Sequence, residues 1–189
     1  MNFFSGLAKN RAPQMTKNEI AYIQNLGEHH PHLVEFGSGI STLVWEQYFQ
    51  KVSSIETRLH WYLKIRKSLK KPTTEYLFCP PESCAFGTNG DELWNKRNPS
   101  DYGRMEEFSG YYKLGGKLVS DAEEKAIYFV DGNLRREICE FILNKRNKPL
   151  ILLHDVIPER EYLNGWTREN SQIEILAQID SLLVLTKKT

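Results

Sequence analysis

Short apolar runs alternate along this chain with segments whose apolar residues recur at helical spacing. We predict strands at 32–36, 51–56, 74–78, 126–131 and 149–154, and helices at 16–26, 41–49, 59–69 and 134–145. Alternation at these lengths is typical of a parallel sheet with helices on both faces. Residues 172–187 add two strands around Asp180 and Ser181. The sequence therefore predicts an α/β chain with a Rossmann-like, doubly wound, mostly parallel sheet and a C-terminal antiparallel hairpin.

Length and charge limit the classes of partner. A chain of 189 residues with a net charge of +1 fits one domain over 1–189, with no basic surface for nucleic acid. The three cysteines have no metal-ligand spacing, so we expect reduced thiols in a cytoplasmic protein. No apolar run approaches the roughly 20 residues that span a bilayer, so we expect no membrane partner. The oligomeric state stays open.

The first strand ends in a glycine corner, HLVEFGSGIST, at residues 32–42. Ligands of such sheets bind at the carboxyl ends of the strands. Gly37 and Gly39 allow close approach to the backbone, and the helix that follows presents free N–H groups. Glu56 ends the second strand about 20 residues after Glu35, where an acid accepts hydrogen bonds from ribose hydroxyls. This arrangement predicts an adenosine-containing cofactor.

Two such cofactors compete for the corner. Dinucleotide binding requires G-x-G-x-x-G, and Thr42 stands where the third glycine would be. Glu35 precedes the first glycine, where it would repel a pyrophosphate but suit the cationic amino-acid end of S-adenosylmethionine. The corner therefore favours the methyl donor over NAD and an oxidoreductase.

Four motifs in order carry a resemblance: VEFGSGISTLVW, VSSIETRLHWY, IYFVDGNLRREIC and LILLHDV. They resemble the class I S-adenosylmethionine-dependent methyltransferases, especially small bacterial proteins with EFGSG and VDGxxR motifs, and more distantly the glucuronoxylan 4-O-methyltransferase family. The resemblance implies that Glu56 binds the ribose, Thr57 and Trp61 lie near the adenine, and Asp131 faces the cofactor. The best acid for the adenine amine is Glu82. It further implies cofactor contacts from Glu35, Phe36, Gly37, Ser38, Gly39, Ser41 and Thr42.

Candidate catalytic residues follow the fourth and fifth strands. His154 titrates near neutral pH and is a candidate general base, with Asp155 orienting it and Asp131 beside the cofactor. The same three side chains could hold Mg²⁺ or Mn²⁺. We do not favour a metal, because catechol-type O-methyltransferases have an Asp-Asn pair where this chain has Asp155 and Val156.

The sequence says less about which residues would bind the methyl acceptor. Arg135 could clamp a carboxylate or phosphate of an acceptor, or pair with a neighbouring acid. We predict a long aromatic-rich loop over 79–118 that acts as a lid or substrate segment. Within it, Tyr111 and Tyr112 are expected at the pocket, whereas Trp94 and Phe108 are expected to pack inside the loop.

These observations lead to two hypotheses. The first is S-adenosylmethionine-dependent methyl transfer to a hydroxyl of a small molecule or saccharide. The second is a protein with this fold that binds the cofactor without efficient catalysis, as a sensor or partner subunit.

Overall fold

A computed structural model describes residues 13–82, 105–158 and 160–189. That part of the chain forms six helices and seven strands. In chain order they are α1 Lys17–Leu26, β1 His32–Phe36, α2 Ile40–Tyr48, β2 Lys51–Glu56, α3 Leu59–Arg66, β3 Thr74–Phe78, α4 Ser109–Asp121, β4 Ile127–Val130, α5 Arg135–Lys145, β5 Leu150–Leu153, α6 Glu161–Glu169, β6 Ile173–Ile179 and β7 Leu182–Lys187. Within the described ranges, no helix is both long and apolar enough to cross a bilayer.

The strands form one sheet in the order β3-β2-β1-β4-β5-β7-β6. The first five strands are parallel, and β7 pairs antiparallel with both β5 and β6. Phe36 is in register with both Ile55 and Val130, and Val130 with Leu153. The carboxyl ends of β1, β2, β4 and β5 therefore lie at one edge of the sheet. The predicted fold class and the hairpin are confirmed.

Alternation along the strands supplies an apolar layer on each face of the sheet. On β1, Val34 and Phe36 face one layer and Leu33 faces the other. Helices α1 and α2 cover the Leu33 side, and α4, α5 and α6 cover the opposite side. The sheet is buried on both faces, which explains why its central strands are continuous apolar runs.

Helix α1 begins as its sequence indicates. The Thr16 hydroxyl accepts from the Glu19 N–H at 3.2 Å, and Glu19 accepts from the Thr16 N–H at 2.8 Å. This capping box satisfies two N–H groups that the helix leaves without partners.

Helix α3 departs from its prediction. It ends at Arg66 rather than at residue 69, and Ile65 is its one fully buried side chain. Leu59 and Leu63 are 40% and 45% exposed. The helix packs beside β3, an edge strand, so a narrow stripe of its surface is covered. Helix α6 was not predicted.

The predicted loop over 79–118 is corrected at its C-terminal end. Helix α4 begins at Ser109, and Glu82 accepts hydrogen bonds from the Ser109 hydroxyl and, at 3.1 Å, from the Gly110 N–H. The glycines of α4 weaken the helical pattern in the sequence. Gly115 nevertheless fits, because a Cβ there would lie 2.7 Å from the Phe36 ring. Trp94 and residues 83–104 of the proposed lid lie outside the described residues.

Candidate functional site

A cavity of about 310 Å³ opens at the carboxyl ends of β1, β2, β4 and β5. It spans the switch point between β1 and β4, where sheets of this kind bind ligands. Its volume is at the lower end of the range for ligand pockets. The lining residues are Pro13, Gln14, Met15, Gly37, Ser38, Gly39, Ile40, Ser41, Glu56, Thr57, Arg58, Trp61, Tyr111, Asp131, Gly132, Asn133, Arg135, Asp155 and Arg160.

Two glycines let the loops after β1 and β4 touch through their backbones. Gly37 has φ +89°, and a Cβ there would lie 2.5 Å from the Gly132 Cα. A Cβ on Gly132 would lie 2.6 Å from the Tyr111 hydroxyl oxygen. Gly39 differs, because the nearest atom to a Cβ there is the Ser41 hydroxyl oxygen at 3.5 Å. Gly39 therefore leaves open space on the cavity wall.

Glu35 is buried beneath the glycine corner rather than exposed in the cavity. Its carboxylate accepts hydrogen bonds from the hydroxyls of Ser41 at 3.0 Å, Thr42 at 2.6 Å and Ser54 at 2.6 Å. Burial raises the pKa of Glu35 to about 7, against the opposing effect of these hydroxyls. The charge argument against a pyrophosphate is therefore wrong, since this carboxylate does not face the ligand space. Phe36 and Thr42, also predicted as cofactor contacts, are likewise fully buried and do not line the cavity.

Glu56 lies at the cavity with its carboxylate already hydrogen-bonded. One oxygen accepts from the Ser38 N–H at 3.0 Å and the Ser38 hydroxyl at 2.5 Å. The other accepts from the N–H groups of Thr57 and Arg58, both at 2.8 Å. Burial raises the pKa of Glu56, and these donors oppose the increase. Four donors correspond to the roughly four lone-pair sites of a carboxylate.

The predicted adenine contacts have different locations. Thr57 is buried in the cavity wall, and its hydroxyl accepts a hydrogen bond from the Asn133 side-chain amide at 3.0 Å. Trp61 is half-buried in the same wall, with the Lys64 Nζ 4.3 Å from its ring centre. Glu82 does not line the cavity, because its carboxylate caps α4.

His154 is enclosed by carboxylates and does not line the cavity. Its Nδ1 lies 3.1 Å from Asp131 and 3.6 Å from Asp155, and its Nε2 lies 3.5 Å from Glu19. Burial lowers the pKa of His154, but the Asp131 contact and the other two carboxylates outweigh it and raise the pKa above its usual value. The structure places this 2%-exposed residue away from the cavity, where a general base would have to reach an acceptor hydroxyl.

Arg135 joins the loops that follow β4 and β5. Its guanidinium donates to the carbonyl oxygens of Asp131, Gly132 and His154, and to the Asp131 carboxylate at 2.7 Å. It also lies 3.5 Å from the Asp155 carboxylate. The sequence left two roles open for Arg135, an acceptor clamp and a salt bridge to a neighbouring acid. The contacts observed are those of the salt bridge.

A divalent metal does not fit between the strand-end residues. Ligand atoms of Asp131, His154 and Asp155 lie within 4.8 Å of one another. The guanidinium of Arg135 already contacts both carboxylates, at 2.7 Å and 3.5 Å, and the imidazole carries a raised pKa. A metal ion would have to approach the guanidinium that contacts both carboxylates, and it would bind only the neutral form of the imidazole. The negative charges of Asp131 and Asp155 are therefore already paired with the positive charge of Arg135.

Of the two tyrosines predicted at the acceptor pocket, one lines the cavity and the other does not. Tyr111 is fully buried in the cavity floor, with its ring 6.4 Å from that of Phe36 and no hydrogen-bond partner for its hydroxyl within the described structure. Tyr112 packs against the Phe141 ring at 5.6 Å and does not line the cavity, so its predicted role is wrong. Adjacent residues of a helix point in different directions, so the two cannot share one wall.

Sequence reasoning missed several cavity residues. Gly132 and Asn133 follow Asp131 directly, so their position at a strand end was available as a signal. The segment 13–15 carries no such signal, because it reaches the cavity through tertiary packing alone.

Solved structures share this fold at low sequence identity. A methyltransferase-like protein from Silicibacter pomeroyi gives a TM-score of 0.68 at 16% identity, over 94% of this chain and 88% of that one. A methyltransferase from Geobacter sulfurreducens gives 0.60 at 11% identity, over 95% and 84%. A Streptococcus mutans protein assigned as a methyltransferase, in complex with SAH, gives 0.51 at 12% identity, over 92% and 100%. The sequence matches no protein-family model and no curated protein. The chain therefore has the Rossmann-like fold of these methyltransferases.

Proposed function

We propose that this protein is an S-adenosylmethionine-dependent methyltransferase that acts on a hydroxyl of a small molecule or saccharide. The observation that carries the proposal is the open backbone at Gly39 facing a cavity with Glu56 on its adjoining wall. Both lie at the switch point of a fold shared with solved methyltransferases. One of those structures contains the product form of the cofactor.

The residues present fit an adenosyl sulfonium cofactor. Gly39 offers space where a side chain would intrude, and the Asn133 amide oxygen is a buried acceptor without a partner in the described structure. Such a cofactor supplies a methyl group on a positively charged sulfur. The Glu56 carboxyl group lies on the cavity wall, where its negative charge when ionised favours a cationic ligand.

Two carboxylates at the strand ends differ in their readiness to take a proton. Burial raises the pKa of Asp131, but the charge of Arg135 and the His154 contact outweigh it and lower the pKa. Burial and the neighbouring Asp131 charge raise the pKa of Asp155. Asp155 is 33% exposed and held by Arg160 at 2.9 Å. We therefore assign proton acceptance from the hydroxyl to Asp155, with Asp131 staying ionised.

An uncharged methyl acceptor fits the part of the cavity that Asp131 and Asp155 line. The charges of Asp131 and Asp155 are matched by Arg135 and Arg160, so the acceptor side has no excess charge to bind an ionic group. A saccharide or other polyol hydroxyl is consistent with that balance.

Binding without efficient catalysis is the second candidate. It is favoured by the enclosure of His154 and by the ion pairs of Asp131 with Arg135 and of Asp155 with Arg160. Such a protein would bind SAM and SAH and transfer no methyl group to any polyol acceptor.

A thermal-shift titration with SAM, SAH and NAD⁺ tests the proposal on wild type, Gly39→Ala and Gly165→Ala. A ligand at 100 times its Kd adds about 2.7 kcal/mol, which raises the melting temperature by roughly 5–10 °C. We expect this shift with SAM and SAH for wild type and for the control Gly165→Ala, where a Cβ meets no atom within 4 Å. Gly39→Ala should melt as wild type without ligand and lose most of the shift.

Failure of SAM and SAH to shift wild type would refute the proposal. A shift with NAD⁺ alone would instead support the oxidoreductase reading. Release of SAH during incubation with polyol acceptors separates the enzyme from the binding protein.

A further inference from the structure

The ribose of an adenosyl cofactor presents two neighbouring hydroxyls, and Glu56 has room for one at most. Its carboxylate accepts four hydrogen bonds from the protein, three of them from backbone N–H groups. The backbone donors are fixed by the turn that follows β2 and by the glycine corner. The fourth donor is the Ser38 hydroxyl, which can turn away, and Tyr76 lies 2.6 Å from it as an alternative partner. A ribose hydroxyl could take that one place.

A second acceptor lies in the cavity wall and lacks a partner within the described structure. Asn133 is 4% exposed, and its Oδ1 has no hydrogen bond. Buried side-chain oxygens are nearly always hydrogen-bonded, because a buried acceptor without a donor costs free energy. Asn133 also lines the cavity. The oxygen therefore points to a donor that a ligand brings.

A hydrogen bond of the Asn133 amide nitrogen holds the amide group in place. Its Nδ2 donates to the Thr57 hydroxyl at 3.0 Å, and Thr57 follows Glu56 directly in the chain. The Asn133 side chain thus reaches from the loop after β4, past the glycine corner of β1, to the end of β2. This reach places the amide group next to the residue that follows Glu56, in the same cavity wall as Glu56.

We propose that the ribose diol is shared, with one hydroxyl donating to Glu56 and the other to Asn133 Oδ1. This assignment rests on the proposed function and names Asn133 as a specificity-determining residue for the nucleoside. A deoxyribose ligand would lose one of the two contacts, so the pair selects for an intact diol.

Isothermal titration calorimetry with SAH and its 2′-deoxy and 3′-deoxy analogues tests the assignment. Asn133→Leu keeps the shape of the side chain and removes the acceptor, and Asn133→Asp keeps an acceptor oxygen. We expect Asn133→Leu to weaken SAH binding by about tenfold, as for a hydrogen bond lost from a buried site. For one deoxy analogue, wild type and Asn133→Leu should bind equally. Asn133→Asp should stay within about threefold of wild type for SAH.

Three results overturn the assignment. Equal SAH affinity in wild type and Asn133→Leu would show that the oxygen makes no contact. An equal loss for SAH and both analogues would show that Asn133 acts through the Thr57 contact and loop shape. Failure of wild type to bind SAH would remove the proposed function together with this inference, whereas the first two results leave that function standing. Asn133→Ala provides the same comparison if Asn133→Leu does not fold.

Discussion

Gly37→Ala should destabilise the protein strongly, because two costs coincide at this residue. Its φ of +89° is a conformation that L residues adopt at a cost of about 1–2 kcal/mol. The added Cβ would also lie 2.5 Å from the Gly132 Cα and 2.6 Å from its nitrogen. Backbone atoms cannot rotate away as a side chain can, so relieving the overlap should cost about 1–3 kcal/mol more.

The expected total is about 2–5 kcal/mol, and a value near 3 kcal/mol corresponds to a melting temperature lower by roughly 6–12 °C. The assay is thermal unfolding followed by circular dichroism, with urea unfolding to check the cooperativity. Gly39→Ala is the matched control, since its φ of −168° is extended and the nearest atom lies at 3.5 Å. It should melt within about 2 °C of wild type. Equal melting temperatures for the two variants would show that the loops after β1 and β4 do not touch.

Two further predictions concern the buried charges. Glu35 has a pKa of about 7 in the folded chain and an ordinary value of 4.5, so its contribution to stability is present below pH 4.5 and is lost as pH rises through about 7. In urea unfolding, the free energy of unfolding of wild type should fall by about 3 kcal/mol relative to that of Glu35→Gln across that interval. If the free energies of the two proteins instead changed with pH in parallel, Glu35 would not have a raised pKa in the folded chain. Mg²⁺, Mn²⁺ or EDTA should change the melting temperature by less than about 1 °C, because Arg135 lies against Asp131 and Asp155. A saturable, metal-dependent increase would refute that charge balance.

The sheet and its cleft were accessible from sequence because their signals are local. The capping box at Thr16, the five apolar runs and the hairpin around Asp180 each lie within a few residues. Chain order and the handedness of parallel connections then leave few arrangements. Glu56 and Asp131 were found at the cleft because carboxyl ends of parallel strands meet at one edge.

The misplaced side chains share a physical cause. Glu35 and Tyr112 stand near ligand-facing residues in the chain, but alternation along a strand and rotation along a helix direct them elsewhere. The sequence predicts loop over most of helix α4 because Gly115 and Gly116 lower its helix propensity. Close packing against Phe36 and Phe141 nevertheless requires these glycines.

The sequence by itself determined the order of the strands along the chain, the glycine corner and the acids that close β2 and β4. These depend on hydrophobic period and on backbone freedom, which neighbouring residues specify. Only the tertiary structure decided what those groups can do. Glu19 lies far from His154 in the chain, yet the fold brings the two within 3.5 Å, with Asp131 3.1 Å away on the other side of the ring. These carboxylates raise the pKa of His154 against the effect of burial, and the same packing keeps the ring out of the cavity. Proton affinity depends on burial and on charges within a few ångströms, and those neighbours come together only when the chain folds.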